Sequence, residues 1–162
     1  MKKKDTTYEH SERINDVMYY IYKNLSSKLL IEELAQVSSY SPFHFQRIFK
    51  EITNKSVTNY IKELRLQCSA NLLIFNPNST ITDIAHGCGL KSSATFSNEF
   101  KKYYGMTPKA WKNGGYKEFK KENPIKNEKE VDFSKIVIKK IEQIDYLEAI
   151  HNITFYIDAI CH

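Results

Sequence analysis

Glycine and proline are scarce in this sequence, five and four among 162 residues. A collagen-like repeat and a flexible glycine-rich tether are thereby excluded for the bulk of the chain. The three cysteines, Cys68, Cys88 and Cys161, are odd in number and show no CxxC spacing. They encode neither a disulfide framework nor a zinc module, and a reducing cytoplasm is the expected location. No apolar run approaches the ~18 residues of a membrane span. The basic start Met1-Lys2-Lys3-Lys4 is followed by Asp5-Thr6-Thr7-Tyr8-Glu9, where a secretory signal would turn apolar. There is no Ser/His/Asp set or glycine-rich phosphate loop, and His44, His86 and His151 have no partner at metal-ligand spacing. A non-enzymatic protein without cofactor, metal or membrane contact is expected.

What remains is the composition of a chain that buries a core. Hydrophobic residues make up 41% and charged residues 27%, close to globular averages, and the length suits about one domain with an appendage. Twenty-four basic side chains face nineteen acidic ones for a net charge of +5, which permits an anionic partner without establishing one. The excess is unevenly placed. Residues 8–112 hold thirteen basic and nine acidic side chains, residues 1–7 three and one, and residues 136–162 two and four. The positive charge therefore belongs to the N-terminal two thirds.

Ile14, Val17, Met18, Ile21 and Tyr22 recur at helical spacing within Tyr8–Asn24 and mark a first amphipathic helix. A short helix follows at Ile31–Val37. Ser41-Pro42 then opens a third, running to about Thr53, since serine caps well and proline suits the first helical position. In it Phe45, Ile48, Phe49 and Ile52 form the apolar stripe, while Phe43, Gln46, Arg47 and Lys50 share another face. Ser56 caps a long helix, Val57–Phe75, which Asn76-Pro77-Asn78 ends.

The pattern then recurs. Leu34-Ala35 matches Ile84-Ala85 fifty residues on, and Phe49-Lys50 matches Phe100-Lys101 at fifty-one, so one residue has been added in the turn. The offset of fifty-one also carries Asn54 to Gly105, Ser56 to Thr107, Val57 to Pro108 and Tyr60 to Trp111. In the second copy Thr80 caps Ile81–Gly87, Gly89 supplies the turn, and Lys91–Tyr104 is the second long helix with Phe96, Phe100 and Tyr103 inward. Helix, tight turn and helix, twice over, is the layout of a tandem helix-turn-helix. Leu30 stands where Thr80 caps the second copy, so the first half is expected to be the less stable one.

One recognition helix reads a few base pairs in the major groove. Two on one chain can read successive turns of one duplex if they stand ~34 Å apart, and Val57–Phe75, at ~1.5 Å per residue, is a spacer of that scale.

The segments LAQVSSYSPFHFQRIFKEI and ITDIAHGCGLKSSATFSNEFKKYYGMTPKAW resemble the two helix-turn-helices of the AraC family of bacterial transcription regulators, over roughly Arg13–Lys112. The resemblance implies a bipartite helical domain that binds double-stranded promoter DNA and, in most members, activates transcription by contacting RNA polymerase. It places base-reading positions at Phe43, His44, Gln46 and Arg47 in the first copy, and at Ser93, Ala94, Ser97 and Asn98 in the second. Arginine suits guanine, glutamine suits adenine, and a ring can press on a thymine methyl; packing at the domain rim is the alternative for Phe43. Lys50, Lys101, Lys102 and Lys109 are expected at phosphates. Asn98 departs from the basic residue usual in the family, and Glu99 beside it is expected to oppose phosphate, so the first helix should carry most of the discrimination.

The expected architecture is mainly α: two helix-turn-helix subdomains joined by a long helix over residues 8–112, a charged linker at 113–130, and a short β-hairpin tail within 131–162. The linker reading rests on the Lys- and Glu-rich stretch after Gly114-Gly115, and the hairpin on Ile136–Ile141 and Tyr146–His151. Ile136–His151 resembles the opening of a GyrI-like effector-binding domain, cut short, with Asn152-Ile153-Thr154 where that family usually has a glycine. A lone hairpin is marginal in water, so no effector pocket is expected and self-association through the tail is open. A truncated regulator that partners or antagonises a longer homologue is the alternative function.

Overall fold

The computed structural model describes residues 6–122, all of it helices and their connections. In chain order these are α1 (Thr6–Lys23), α2 (Ile31–Val37), α3 (Pro42–Thr53), α4 (Val57–Phe75), α5 (Ile81–Gly87), α6 (Ser93–Tyr104) and the single turn α7 (Pro108–Ala110). A widened stretch, Trp111–Gly115, kinked at Asn113 and at Gly114 (φ 103°), leads into α8 (Tyr116–Glu122). The expected β-hairpin, and the part of the linker beyond residue 122, lie outside the described residues.

Two cores divide these helices, and α4 belongs to both. Ile14, Val17 and Ile21 of α1 meet Leu34 and Ala35 of α2, Phe45, Ile48 and Phe49 of α3, and the first half of α4 through Val57 and Ile61. The second half of α4 supplies Leu66, Ala70 and Leu73 to a core with Ile84, Ala85 and Cys88 around α5, Phe96 and Phe100 of α6, and Trp111.

The two halves repeat one geometry in atomic detail. Ser38, Ser39 and Tyr40 donate their backbone N–H groups to Leu34, Gln36 and Ala35, and Cys88, Gly89 and Leu90 donate to Ile84, His86 and Ala85 at the same offsets. Ser39 and Gly89 both take left-handed φ, 57° and 76°. Ser41 and Ser92 then cap α3 and α6, so the residue added in the second copy is Lys91. Asn54 and Gly105 end these helices in left-handed conformation, and Ser56 and Thr107 cap α4 and α7. Phe45 and Phe49 pack edge-on at 5.7 Å, as Phe96 and Phe100 do at 5.4 Å, and the Tyr60 and Trp111 rings lie 5.4 and 5.6 Å from Phe49 and Phe100.

Several expectations are corrected. α6 begins at Ser93, not Lys91, because Ser92 takes the capping position and accepts from the Thr95 N–H. Tyr103 is 42% exposed rather than inward; Tyr104 turns in instead, 4.6 Å from Trp111 and 5.4 Å from Phe119. Ile52 is 37% exposed and sits at the edge of its stripe. The stretch from Tyr116 is not a solvated tether at its start, since α8 packs Tyr116 and Phe119 on the second core.

A pair of contacts fixes how the halves meet. Arg65 of α4 donates from Nε to the Leu25 carbonyl (3.1 Å) and from Nη2 to that of Ser27 (2.7 Å). Gly89 abuts the same loop, with no room there for a side chain. In the second core Trp111 donates its indole N–H to the Ala70 carbonyl at 3.0 Å, tying the chain after α6 back to α4.

Candidate nucleic-acid interface

Ser41 accepts the His44 N–H at 3.4 Å, which starts α3 with Pro42 in its first turn. That start sets the rotation of the helix. Phe45, Ile48 and Phe49 turn into the core, and Phe43, Gln46, Arg47 and Lys50, at helical spacing, are all exposed. Phe43 is 82% exposed and is not packed at the rim. The Gln46 amide donates to the Pro42 carbonyl at 3.4 Å. Arg47 donates from Nη1 to Glu51 Oε1 at 3.0 Å, and its Nη2 lies 3.4 Å from His44 Nδ1. An exposed pair of this kind contributes only ~0.2–1 kcal/mol, less than the ~1–3 kcal/mol of a bidentate contact to a base, so the guanidinium can exchange one for the other.

His44 is half-buried and braced from behind. Its ring meets Tyr40 edge-on at 4.8 Å and lies 6.0 Å from His10 of α1. Tyr40 and His10 are joined through a hydroxyl to Nδ1 hydrogen bond. The Arg13 guanidinium stands 5.1 Å over the Tyr40 ring, donates to the Ser38 carbonyl at 3.1 Å, and pairs with Glu9 at 2.6 Å. Desolvation raises the Tyr40 phenol above its ordinary value, against the lowering pull of Arg13. Sequence reading missed this support of α3 by the start of α1. Aromatic and basic residues at helical spacing in Tyr8–Arg13 were its only trace.

On α6 the corresponding face is small and uncharged. Ala94 and Asn98 are exposed, and Ser93 and Ser97 half-buried. Lys101 and Lys102 are exposed near the C-terminal end of the helix, and Lys109 is exposed on α7, apart from the reading face. Among the described residues none of these three forms an ion pair. Glu99, expected to oppose phosphate, is half-buried and pairs with Lys62 of α4 at 3.2 Å, so its charge is offset. The expected positions thus form two patches, Phe43, His44, Gln46, Arg47 and Lys50 on α3, and Ser93, Ala94, Ser97 and Asn98 with the two lysines on α6.

Helix, tight turn and exposed polar helix, built on one repeated backbone, is helix-turn-helix architecture. Residues 34–114 match the family described as helix-turn-helix domain. The chain belongs to the AraC-type helix-turn-helix family of transcriptional regulators. It is 34% identical over 101 residues to the uncharacterized HTH-type transcriptional regulator YobQ of Bacillus subtilis, covering 62% of this chain and 42% of that one. It is 37% identical over 98 residues to the bifunctional transcriptional activator/DNA repair enzyme AdaA of the same organism, covering 60% and 46%. The HTH-type transcriptional activator AarP of Providencia stuartii is 30% identical over 110 residues, covering 68% of this chain and 80% of AarP. The matched region thus spans less than half the length of the first two. Among solved structures, the C-terminal domain of AraT, a response regulator from Geobacillus stearothermophilus, aligns with a TM-score of 0.57 and 27% identity over 62% of this chain and 83% of that one. The DNA-binding domain of AdpA, in complex with a target DNA, shares the fold with a TM-score of 0.60 at 19% identity, over 70% and 98%.

No described helix is long and apolar enough to cross a membrane, and no three His, Cys, Asp or Glu among the described residues are grouped to hold a metal ion.

Proposed function

We propose that this protein is a sequence-specific DNA-binding transcription regulator that reads two successive major-groove segments of a promoter and activates transcription through RNA polymerase. The observation that carries the reading is the exposed face of α3. An almost fully exposed phenylalanine, a glutamine, an arginine and a lysine occupy one surface of a helix whose other surface is core. A ring in water at that position gains nothing until it meets a partner, and the other three are the side chains that pair with adenine, guanine and phosphate.

The repeat supplies the second reading head. α4 has 19 residues and, at ~1.5 Å per residue, spans ~28 Å, of the order of the ~34 Å between successive groove segments. In this reading Arg47 takes guanine, Gln46 adenine and Phe43 a thymine methyl, with His44 beside them. Ser93, Ala94, Ser97 and Asn98 read the second segment mainly by shape and through Asn98. Lys50, Lys101, Lys102 and Lys109 contact phosphate. Activation is supported by the name of AarP, a transcriptional activator.

Gel shift on host genomic and random fragments at two salt concentrations tests the proposal. A regulator keeps its preference for particular fragments as salt rises, because base contacts persist while counterion-driven affinity falls. Equal loss on all fragments, leaving no preference, would overturn it.

A further inference from the structure

Lys91, the residue by which the second copy exceeds the first, stands in the wall of a cleft of about 570 Å³ at the joint between the halves. The cleft is formed by the approach to α2, one face of α4, His86 near the end of α5 and the turn before α6. Lys28, Lys62, Arg65 and Lys91 line it, Leu29 and Leu90 are among its apolar walls, and no carboxylate-bearing residue lines it.

Two of the four cations are committed. Arg65 donates from Nε and Nη2 to the Leu25 and Ser27 carbonyls, and Lys62 is shared with Glu99. Lys28 and Lys91 are exposed and form no ion pair among the described residues. With Lys62 offset by Glu99, the like charges of Lys28, Arg65 and Lys91 in one concavity repel each other and focus a positive potential outward, an arrangement an anion relieves.

The place of the cleft in the repeat selects which anion. In a helix-turn-helix the N-terminal end of the second helix enters the groove while the first helix crosses the backbone. Lys91 immediately precedes the Ser92 cap of α6, and Lys28 lies just before the Leu30 cap of α2. Lys91 therefore stands where the second helix of its pair enters the groove, and Lys28 at the start of the first helix of its pair, the one that crosses the backbone; what runs between two major-groove segments of one duplex is a minor groove edged by phosphates.

We infer that this cleft is a phosphate-binding site that seats the sugar-phosphate backbone of the duplex between the two segments read by α3 and α6, with Lys28 and Lys91 as its contacts. The inference rests on the DNA-binding function proposed for the two reading helices. A free phosphorylated small molecule presents the same chemistry and is the competing source.

The test uses the full chain, Lys28→Gln, Lys91→Gln and the double variant, with a bound fragment selected from the host genome. Both side chains are exposed, so matched thermal unfolding of the variants is expected. The slope of log affinity against log salt should fall by about 0.9 for each lysine removed, with equal loss on selected and random fragments and an unchanged order of preference among them. An unchanged slope and affinity in the double variant, while the wild type binds, overturns the inference and leaves the regulator reading standing. Failure of the wild type to bind any duplex overturns both. A second arm titrates the DNA-free chain with pyrophosphate. Saturable shifts of the amides at 28 and 91 that the double variant abolishes, together with an unchanged salt slope, assign the cleft to a free phosphate ligand and overturn the backbone assignment.

Discussion

A Cβ on Gly89 would lie 2.6 Å from the Leu25 carbonyl oxygen, closer than such atoms approach in folded proteins. The turn of the second half therefore abuts the loop that opens the first, at the level where Arg65 grips the same loop. Gly89 also holds φ at 76°, a conformation costly to any residue with a side chain. Gly105 has a similar φ, 74°, but open space around it. Gly105→Ala should cost roughly 1–2 kcal/mol of stability, the conformational penalty alone, and Gly89→Ala clearly more. Denaturant unfolding of both variants measures the difference, and equal losses would show that the Leu25 contact does not constrain the joint.

The two copies differ at the start of their first helices. Leu30 precedes α2 with extended backbone and no side-chain hydrogen bond, and is 45% exposed. Thr80 precedes α5 in a reciprocal box: its hydroxyl accepts the Asp83 N–H at 3.1 Å, and its backbone N–H donates to the Asp83 carboxylate at 3.2 Å. Leu30→Ser should stabilise the protein and Thr80→Ala destabilise it, each by ~0.5–2 kcal/mol. Thermal or denaturant unfolding checks both signs. No gain from Leu30→Ser would mean that the leucine's packing outweighs the missing cap.

The same box has a pH signature. The hydroxyl of Thr80, and after it the Thr80 backbone N–H, hold the Asp83 carboxyl below the ordinary 3.8. A carboxyl depressed in the folded state adds stability that is present above its unfolded value and is lost as pH falls through the depressed one. The Asp83 carboxyl carbon, followed by NMR, should titrate below 3.8 in the wild type and move upward in Thr80→Ala. The stability gap between wild type and Asp83→Asn should close in acid. A titration midpoint unmoved by Thr80→Ala would leave the hydroxyl without a role.

How far the sequence alone reaches depends on the kind of interaction. The bounds of α3, α4 and α5 follow from local chemistry, a cap at one end and a left-handed residue or proline at the other, and these elements stand where Ser41-Pro42, Ser56, Asn76-Pro77 and Thr80 put them. The exposed face of α3 is legible for the same reason. Tyr103 and Tyr104 show the limit of periodicity: three and four residues after Phe100 are both helical neighbours, and only the rings of Trp111 and Phe119 decide which turns in. Arg65 bonds to a loop forty residues earlier and His10 to a tyrosine thirty residues later, so local spacing names neither partner. The helix from Tyr116 is hidden by its lysines and glutamates, because two aromatic residues are too few to set a period against them.

Arg47 and Lys101 separate reading from holding. The Arg47 guanidinium is kept over the exposed face of α3 by Glu51 at 3.0 Å and by its approach to His44, so it arrives oriented but lightly held. Among the described residues Lys101 has no such partner, and it sits near the C-terminal end of α6, past the positions assigned to bases. Removing a side chain that discriminates one base pair costs affinity for the correct base only. Removing one that neutralises a phosphate costs affinity everywhere and lowers the salt dependence. Arg47→Ala should therefore lose ~1–3 kcal/mol on the selected site and relax the preference at one base pair, while Lys101→Ala weakens all sequences alike and reduces the salt slope by about 1. Binding to a set of single-base variants of the selected site, at two salt concentrations, distinguishes the two patterns. Equal loss on selected and random DNA for Arg47→Ala would remove it from the base-reading set and leave α3 a phosphate-binding surface.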